Sequence, residues 1–279
     1  MRPLLALVLL VATLVPAAHA APLPRPNHVV IVIEENHGYA QIMDKRNSAS
    51  WIHALAKRGA VLTASYAVSH PSQPNYLALF SGSTQGVTND ACLRPFAGDN
   101  LASALINGGF SFATFSESLP GTGDLSCGSG AYQRKHNPAA NWQGTRLPAK
   151  LNKRFVDFEK LSPENFAELP TVSFVIPNQE NDMHDGSFAT ADQWLKKYIE
   201  PYVDWAMKHN SLLILTWDED DSYEGNHIVT LLAGPMVNAG ATSPQRIDHY
   251  SVLRTVLDFY NLPALGASRN AQPITGVWK

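Results

Sequence analysis

The chain has 279 residues, two cysteines and a formal net charge of −3. A balance this close to neutral excludes recruitment of nucleic acid by bulk charge, and residues 21–279 are enough to bury one complete hydrophobic core. Beyond residue 20, no run reaches the roughly 20 apolar residues that a membrane span requires. We therefore expect a single domain over residues 21–279, monomeric and without a membrane anchor.

Residues 1–20 have the features of a secretory signal peptide. Arg2 precedes an apolar run over residues 4–15, and the segment ends in the small-x-small sequence Ala18-His19-Ala20. This pattern predicts cleavage before Ala21 and export to the periplasm or to the extracellular medium.

The two cysteines, Cys92 and Cys127, both lie in connecting sequence rich in Gly, Ser and Asp. In an exported protein this arrangement predicts one disulfide. The alternative is a pair of free thiols too far apart to join, because a sequence does not show the distance between two side chains.

Short apolar runs alternate with segments of helical periodicity along the chain. This alternation predicts an α/β fold with a mostly parallel central sheet covered by helices on both faces. The predicted strands are residues 28–33, 60–68, 110–115, 171–176, 212–217 and 228–233. The predicted helices are residues 50–58 ended by Gly59, a helix beginning at Pro74, residues 100–107 between Asp99 and Gly108, and residues 250–260 behind Asp248. The longest irregular segment, residues 121–150, is either a loop beside a site or a surface excursion.

Four clusters of polar residues directly follow predicted strands. In chain order they are residues 34–37, 70–75, 178–185 and 218–221. The carboxyl ends of parallel strands lie at one edge of a sheet, and ligands bind in the crevice outside that edge. We therefore expect residues that are distant in sequence to converge there on a common site.

Asp218 and Glu219 come directly after the buried run 212–217. A carboxylate at such a position is costly unless a cation or strong donors compensate it. Together with Glu35 and Asn36 from the first strand end, they form a set of oxygen ligands suited to a divalent metal ion. This set does not distinguish Mg, Ca, Mn and Zn.

Three more acids adjoin these candidates. Glu34 fits a metal ligand and a residue with no role in metal binding equally well. Asp220 and Asp221 fit a solvated acidic turn better than a metal site, because four consecutive acids cannot all face one ion.

Ser72 stands just before the predicted helix that begins at Pro74. A hydroxyl there lies in the positive end of the helix, where phosphate oxygens also bind. Ser72 is therefore either a nucleophile activated by a bound cation or only the N-cap of the helix. The converging carboxylates and histidines favour the nucleophile, and His70 beside it is a candidate for contact with the phosphate or the leaving group.

Asp182 and His184 lie in the turn-forming segment after the strand 171–176. They either bind a second metal ion or only form an Asx turn, and His184 is also a candidate for donating a proton to a leaving alkoxide. An isolated histidine is more often structural than functional. We keep His227 as a candidate for the phosphate pocket and interpret His249 as structural.

Five motifs, taken in this order, resemble the bacterial phosphoesterase family, which is related to the alkaline phosphatase superfamily. They are Glu34-Glu35-Asn36-His37, His70-Pro71-Ser72-Gln73-Pro74-Asn75, Asn181-Asp182-Met183-His184-Asp185-Gly186, Thr216-Trp217-Asp218-Glu219-Asp220-Asp221 and His249-Tyr250-Ser251-Val252-Leu253-Arg254-Thr255. The likeness covers nearly all of residues 21–279. It implies an alkaline-phosphatase-like three-layer sandwich, in which Ser72, ahead of the Pro74-Asn75 pair, forms a covalent phosphoenzyme.

The same resemblance implies roles for the residues around Ser72. The residues implied to surround a metal ion are Glu35, Asn36, Ser72, Asp218 and Glu219. The residues implied to bind substrate or line the rest of the site are His70, Asn75, Asp182, His184 and His227. Because the chain has Asp218-Glu219 where many two-metal relatives carry an Asp-His pair, one ion is expected and a second is left open.

The function implied by the resemblance is that of a secreted, metal-dependent phosphatase of the acid phosphatase type, acting on small phosphate monoesters. One alternative is a phospholipase C-like diesterase, but the chain lacks the large insertions and carboxy-terminal domains of those enzymes. Another is a secreted protein that binds metal and phosphate without turnover. The presence of Ser72 argues against it, because a binding protein needs no hydroxyl there.

Overall fold

A computed structural model of the protein describes residues 23–161 and 163–279, so the predicted signal peptide lies outside the described residues. The strands are β1 (Val29–Glu34), β2 (Ala60–Tyr66), β3 (Phe112–Ser116), β4 (Gly128–Ser129), β5 (Tyr132–Gln133), β6 (Asn152–Arg154), β7 (Val172–Ile176), β8 (Leu212–Trp217), β9 (His227–Ala233) and β10 (Ala241–Asp248). The α-helices are α1 (Tyr39–Met43), α2 (Ser50–Arg58), α3 (Ser72–Ser81), α4 (Leu101–Asn107), α5 (Val156–Glu159), α6 (Phe188–Tyr198), α7 (Glu200–Ala206) and α8 (His249–Phe259). None of these helices is both long enough and apolar enough to cross a membrane.

The central sheet contains eight strands in the order β10-β2-β9-β8-β1-β7-β3-β6. All neighbours in it are parallel except β9, which runs antiparallel to both β2 and β8. The prediction of a mostly parallel sheet is therefore confirmed. The reversed direction of β9 brings its first residue, His227, to the edge at which the parallel strands end.

Strand β1 shows why helices cover both faces of the sheet. All six of its residues are buried, and successive side chains of a strand point to opposite faces. Val29 and Ile31 pack in a core with residues of α3, α4 and α8, whereas Val30 and Val32 pack in a second core with α2, α6 and α7. The fold is the three-layer sandwich expected from the sequence.

The helix boundaries follow from local capping. Helix α2 ends at Gly59, whose N–H donates to the carbonyl of Leu55, as predicted. Helix α4 is capped by Asn100, whose side chain accepts the Ser103 N–H at 2.9 Å, so the predicted cap Asp99 is wrong by one residue.

The sequence pattern does not predict β6 and β10, the two outermost strands of the sheet. Strand β6 consists of three polar residues, and β10 contains Pro244 and is largely exposed or half-buried. An edge strand pairs on one side only and tolerates polar residues and proline. Neither strand therefore carries the apolar run by which the inner strands are recognised.

Cys92 and Cys127 form a disulfide with their Cα atoms 5.6 Å apart, which confirms the prediction. The bridge connects the segment after α3 to the segment that leads into β4. Cys127 lies within the long irregular region 121–150 and Cys92 lies between α3 and α4, so the disulfide ties that region to the segment between the two helices.

Replacing both cysteines with serine is expected to lower the free energy of unfolding by roughly 2–4 kcal/mol, because the bridge closes a loop of 35 residues and restricts the unfolded chain. Urea denaturation of the double variant and of the unmodified protein measures the difference. Addition of a reductant to the unmodified protein should reproduce most of it, and equal midpoints for all three samples would contradict the expectation.

Candidate functional site

The carboxyl ends of β1 and β8 lie side by side and carry the acidic residues of the site. The last paired residues of the two strands are Glu34 and Trp217, so the chain segments that follow them emerge together. Asn36 adopts a left-handed backbone conformation, with φ of 45°, and its N–H donates to Asp218 Oδ1 at 3.2 Å. This turn joins the two strand ends directly.

Ser72 is the first residue of α3, and the N-cap position is occupied by Pro71. The interpretation of Ser72 as a helix cap is therefore wrong. Its buried hydroxyl lies 3.0 Å from Glu35 Oε2, 3.2 Å from Glu219 Oε1 and 3.4 Å from Asn36 Oδ1. A hydroxyl has one proton and can donate to only one of these three acceptors.

The carboxylates around Ser72 are buried and share few positive partners. Burial, followed by the neighbouring Asp218 charge, raises the pKa of Glu35 well above its usual value, and burial and Glu219 do the same to the pKa of Asp218. Burial also raises the pKa of Glu219 to about 7. Asp218 Oδ2 has no hydrogen-bond partner within the described part of the chain. Burial therefore disfavours the charged forms of these side chains unless a cation compensates them.

A divalent cation fits this donor set. Three carboxylates, one amide oxygen and one hydroxyl are hard oxygen ligands of the kind that Mg²⁺, Ca²⁺ and Mn²⁺ accept and that Zn²⁺ tolerates. As the side chains stand in residues 23–161 and 163–279, no three His, Cys, Asp or Glu groups are arranged to hold an ion. The fit follows from the chemistry of the donors, the unpartnered Asp218 oxygen and the uncompensated charge.

Tyr76 holds the second oxygen of Glu35, and His136 lies next to it. The Tyr76 hydroxyl donates to Glu35 Oε1, and His136 Nε2 lies 3.3 Å from the same atom. The two rings are stacked with centroids 5.2 Å apart. His136 comes from the irregular region 121–150, which is therefore a loop beside the site. Sequence reasoning did not single out either residue, since neither follows a predicted strand.

Asp182 extends this wall of the site. Its Oδ2 lies 3.5 Å from His136 Nδ1, and its backbone carbonyl accepts the Glu35 N–H at 2.7 Å. Burial raises the pKa of Asp182 to about 7. His184 is held by its N–H, which donates to Asp182 Oδ1 at 2.8 Å, and by Asp185, whose Oδ1 lies 2.7 Å from His184 Nδ1. The structure thus brings both predicted residues to the cluster.

Glu117, directly after β3, fixes the loop that carries Asp182. Its Oε2 accepts the Asn178 N–H at 3.0 Å, its carboxylate accepts the Asn181 side-chain amide, and Oε1 accepts the Trp194 indole N–H at 3.1 Å. Like the four predicted clusters, Glu117 follows a strand, but a single acid gave too weak a signal in the sequence.

His70 and Asn75 stand on either side of Ser72 in the chain and have different surroundings. His70 is partly exposed, and its Nδ1 lies 2.7 Å from Glu219 Oε2. Asn75 is buried and faces the loop before α3, where Oδ1 accepts the Val68 and Ser69 N–H groups at 3.0 Å. Asn75 therefore braces the backbone that presents Ser72, whereas His70 contacts the carboxylate cluster itself.

His227 does not contact the cluster. Its ring is stacked between Tyr39 and Tyr66, with centroid distances of 4.5 and 5.0 Å, and Nε2 lies 3.0 Å from the Thr63 carbonyl. His249 is buried, with Nε2 2.6 Å from the carbonyl of Asp218. It supports the strand end, which agrees with the structural interpretation.

The other acids of the predicted clusters play supporting roles. Glu34 points to the face of the sheet opposite α3, and burial, followed by the charge of Asp182, raises its pKa well above the usual value. Asp220 is buried and accepts the Glu224 N–H at 2.6 Å, so the expectation that it is solvated is wrong. Asp221 accepts the Gln41 side-chain amide at 2.7 Å.

Comparisons with known proteins match the chain to one family model and to several phosphatases. The model of the Phosphoesterase family matches residues 43–263. The chain is 46% identical over 260 residues to the phosphatidylinositol-3-phosphatase of Mycobacterium tuberculosis, covering 93% of this chain and 85% of that protein. It is 32% identical to the phosphate-repressible acid phosphatase of Penicillium chrysogenum, covering 76% of this chain but only 54% of the fungal protein.

Among solved structures, a protein of the alkaline phosphatase superfamily from Vibrio parahaemolyticus superimposes with a TM-score of 0.55 at 14% identity, over 93% of this chain and 72% of that one. A likeness at this identity concerns the fold alone. The expectation of an alkaline-phosphatase-like architecture is confirmed.

Proposed function

The chain belongs to the Phosphoesterase family and is a phosphoric ester hydrolase, and from this premise we propose that it is a secreted, metal-dependent phosphatase that hydrolyses phosphate monoesters through Ser72. The observation that carries the proposal is the position of the Ser72 hydroxyl. It opens α3 and lies within 3.4 Å of oxygens from Glu35, Asn36 and Glu219.

The relatives support a monoesterase, because the mycobacterial and fungal proteins are both named phosphatases. The chain spans about half the length of the fungal relative, so the activity and substrates of the longer protein are carried over only as part of this proposal. The disulfide supports an exported protein, together with the leader that the sequence predicts.

The residues that would hold the cation are Glu35, Asn36, Ser72, Asp218 and Glu219. When bound, a divalent ion supplies charge stabilisation and lowers the pKa of a coordinated hydroxyl. The Tyr76 hydroxyl keeps Glu35 Oε1 engaged, and Glu35 Oε2 faces Ser72. Such outer contacts orient ligand side chains and commonly matter for metal affinity.

The reaction proceeds in two transfers. Ser72 Oγ forms a bond to phosphorus while the bond from phosphorus to the leaving oxygen breaks, and the serine proton passes to a neighbouring carboxylate oxygen. His184 donates a proton to the leaving alkoxide. Water then attacks the phosphoserine and gives one proton to His184, which restores the acid. The bond from phosphorus to Oγ breaks, Ser72 regains its proton from the carboxylate, and inorganic phosphate leaves. The Ser72 N–H at the start of α3 would stabilise negative charge on the phosphoryl oxygens, whereas the Gln73 N–H donates to Asp90 and Pro74 has none.

A phosphoserine should be trapped when the enzyme is mixed with excess monoester and quenched in acid. Peptide mass spectrometry is expected to find the phosphate on the peptide that contains Ser72. Phosphate found on a different residue would contradict the mechanism. A protein that neither hydrolyses the monoester nor becomes phosphorylated would be a binding protein instead. Faster turnover of a phosphodiester than of a monoester would instead identify a diesterase.

A further inference from the structure

A small cavity opens beside the nucleophile and is not used by the residues described so far. Its volume is about 200 Å³, and its lining includes Gln73, Asp90, Gln133, Lys135 and the Cys92–Cys127 disulfide. Gln73 directly follows Ser72, and Lys135 directly precedes His136. The cavity is therefore bordered by neighbours of two site residues.

Lys135 supplies a positive charge at this position. Its side chain is only 15% exposed, and Nζ lies 2.7 Å from Asp90 Oδ2. The other oxygen of Asp90 accepts the Gln73 N–H at 3.0 Å. Gln73 in turn donates its side-chain amide to the carbonyls of residues 89 and 91. Lys135 is thus tied, through Asp90, to the first turn of α3.

The ammonium group has unused donor capacity. A lysine carries three N–H donors, and within the part of the chain that the structure describes the contact with Asp90 uses one of them. The arrangement leaves Nζ fixed in place but able to bind another anion. A side chain that is already ordered loses less conformational entropy on binding than a mobile surface lysine.

The charge of Lys135 acts on the carboxylate cluster around Ser72. Burial lowers the pKa of Lys135, but the hydrogen bond to Asp90 and the charges of Glu35, Asp90 and Asp218 outweigh this effect and raise it. The charge of Lys135 also lowers the pKa of Glu219, against the larger upward effect of burial. Lys135 directly precedes His136, whose Nε2 lies 3.3 Å from Glu35 Oε1, and Asp90 connects it to Gln73 next to Ser72. The ammonium group therefore lies beside the site.

We propose that Lys135 is a specificity-determining residue that binds a non-bridging phosphoryl oxygen of the substrate and thereby selects dianionic phosphate monoesters over monoanionic diesters. This inference extends the proposed function and depends on it. A monoester carries one more negative charge than a diester near neutral pH, and that charge is the group that an ordered cation recognises. Hydrogen bonds to charged groups contribute more than those between neutral groups.

Lys135→Met tests the inference, because it removes the charge and keeps most of the side-chain volume. We expect kcat/KM for a chromogenic phosphate monoester to fall by roughly 10- to 100-fold, whereas kcat/KM for the corresponding diester changes by less than about threefold. Lys135→Arg should retain much of the preference for the monoester. The matched control is Lys150→Met, an exposed lysine in the same irregular region, which should leave both rates unchanged.

A binding measurement separates recognition from turnover. In the Ser72→Ala background, calorimetric titration with inorganic phosphate in the presence of the metal should show an affinity that Lys135→Met weakens by a similar factor. If Lys135→Met does not fold, as judged by circular dichroism, Lys135→Gln replaces it in both experiments.

The outcomes distinguish a failure of the inference about Lys135 from a failure of the proposed function. Equal loss on monoester and diester, or an unchanged phosphate affinity, would overturn the role of Lys135 while leaving the proposed function intact. Full monoesterase activity in Ser72→Ala would instead remove the proposed function, and the inference about Lys135 with it. A loss confined to the monoester, with weaker phosphate binding, supports both.

Discussion

Replacing Ser72 with alanine is expected to lower kcat/KM for a chromogenic phosphate monoester by roughly 10³-fold or more, in the range found when the nucleophile of a covalent mechanism is removed. The substitution deletes the oxygen that lies 3.0 Å from Glu35 Oε2 and 3.2 Å from Glu219 Oε1. It should not disturb the fold, because the N-cap of α3 is Pro71 and no helix contact depends on the hydroxyl. Steady-state kinetics and thermal unfolding measured on the same preparations check both statements.

The matched control is Ser69→Ala, three residues earlier in the same loop. Among residues 23–161 and 163–279, the Ser69 hydroxyl donates only to the neighbouring His70 carbonyl, at 3.1 Å. Its removal should therefore leave kcat/KM within about twofold. Equal rates in the Ser72 variant and in the unmodified enzyme would exclude Ser72 from the mechanism. Equal losses in both variants would mean that the loop conformation, rather than the nucleophile, had been lost.

Removal of the metal is expected to abolish activity. Asp218→Asn is expected to weaken metal binding by at least roughly 10- to 100-fold, the range known for residues that only support a metal ligand. Asp218 is buried, and its Oδ2 has no partner in the described residues. Substitution by asparagine halves the oxygen donors of this side chain and removes its charge. Dialysis against a chelator, followed by titration with Mg²⁺, Ca²⁺, Mn²⁺ or Zn²⁺ one at a time, shows which ion restores turnover.

Calorimetry and the unfolding temperature with and without metal provide readouts independent of turnover, because a ligand that binds only the folded state raises that temperature. Asp221→Asn is the control, since Asp221 belongs to the same acidic run but contacts Gln41. It should leave metal affinity within about twofold. Full activity in protein shown by elemental analysis to contain no metal would refute metal dependence.

The architecture was largely predictable because hydrophobic periodicity is a local property. The inner strands are continuous apolar runs, and α2 and α8 carry their capping residues in the sequence, at Gly59 and Asp248. The edge strands β6 and β10 escaped prediction because pairing on one side does not require an apolar run. The direction of β9 could not be predicted either, because a parallel and an antiparallel strand contain the same kind of apolar run.

The site was predictable only where a polar residue follows an apolar run. That signal indicated Glu35, Asp182, Asp218 and Glu219, and the structure places them together. His227 was expected in the phosphate pocket. The antiparallel β9 brings it to the edge of the sheet where the site lies, but its ring stacks between two tyrosines. Asn75 was also interpreted as facing substrate, whereas its amide is used by the backbone of the preceding loop.

From the residues alone we could predict the α/β alternation, the cysteine pair and the acidic residues at the strand ends, because each is encoded in a short stretch of chain. The contacts of Tyr76 and His136 with Glu35, of Lys135 with Asp90 and of His227 with β2 became visible only in the folded structure. Those positions depend on how region 121–150 folds back over α3 and on the direction of β9. Contacts between segments so far apart in the chain arise from packing of the whole sheet and leave no periodic signal in the residues that make them.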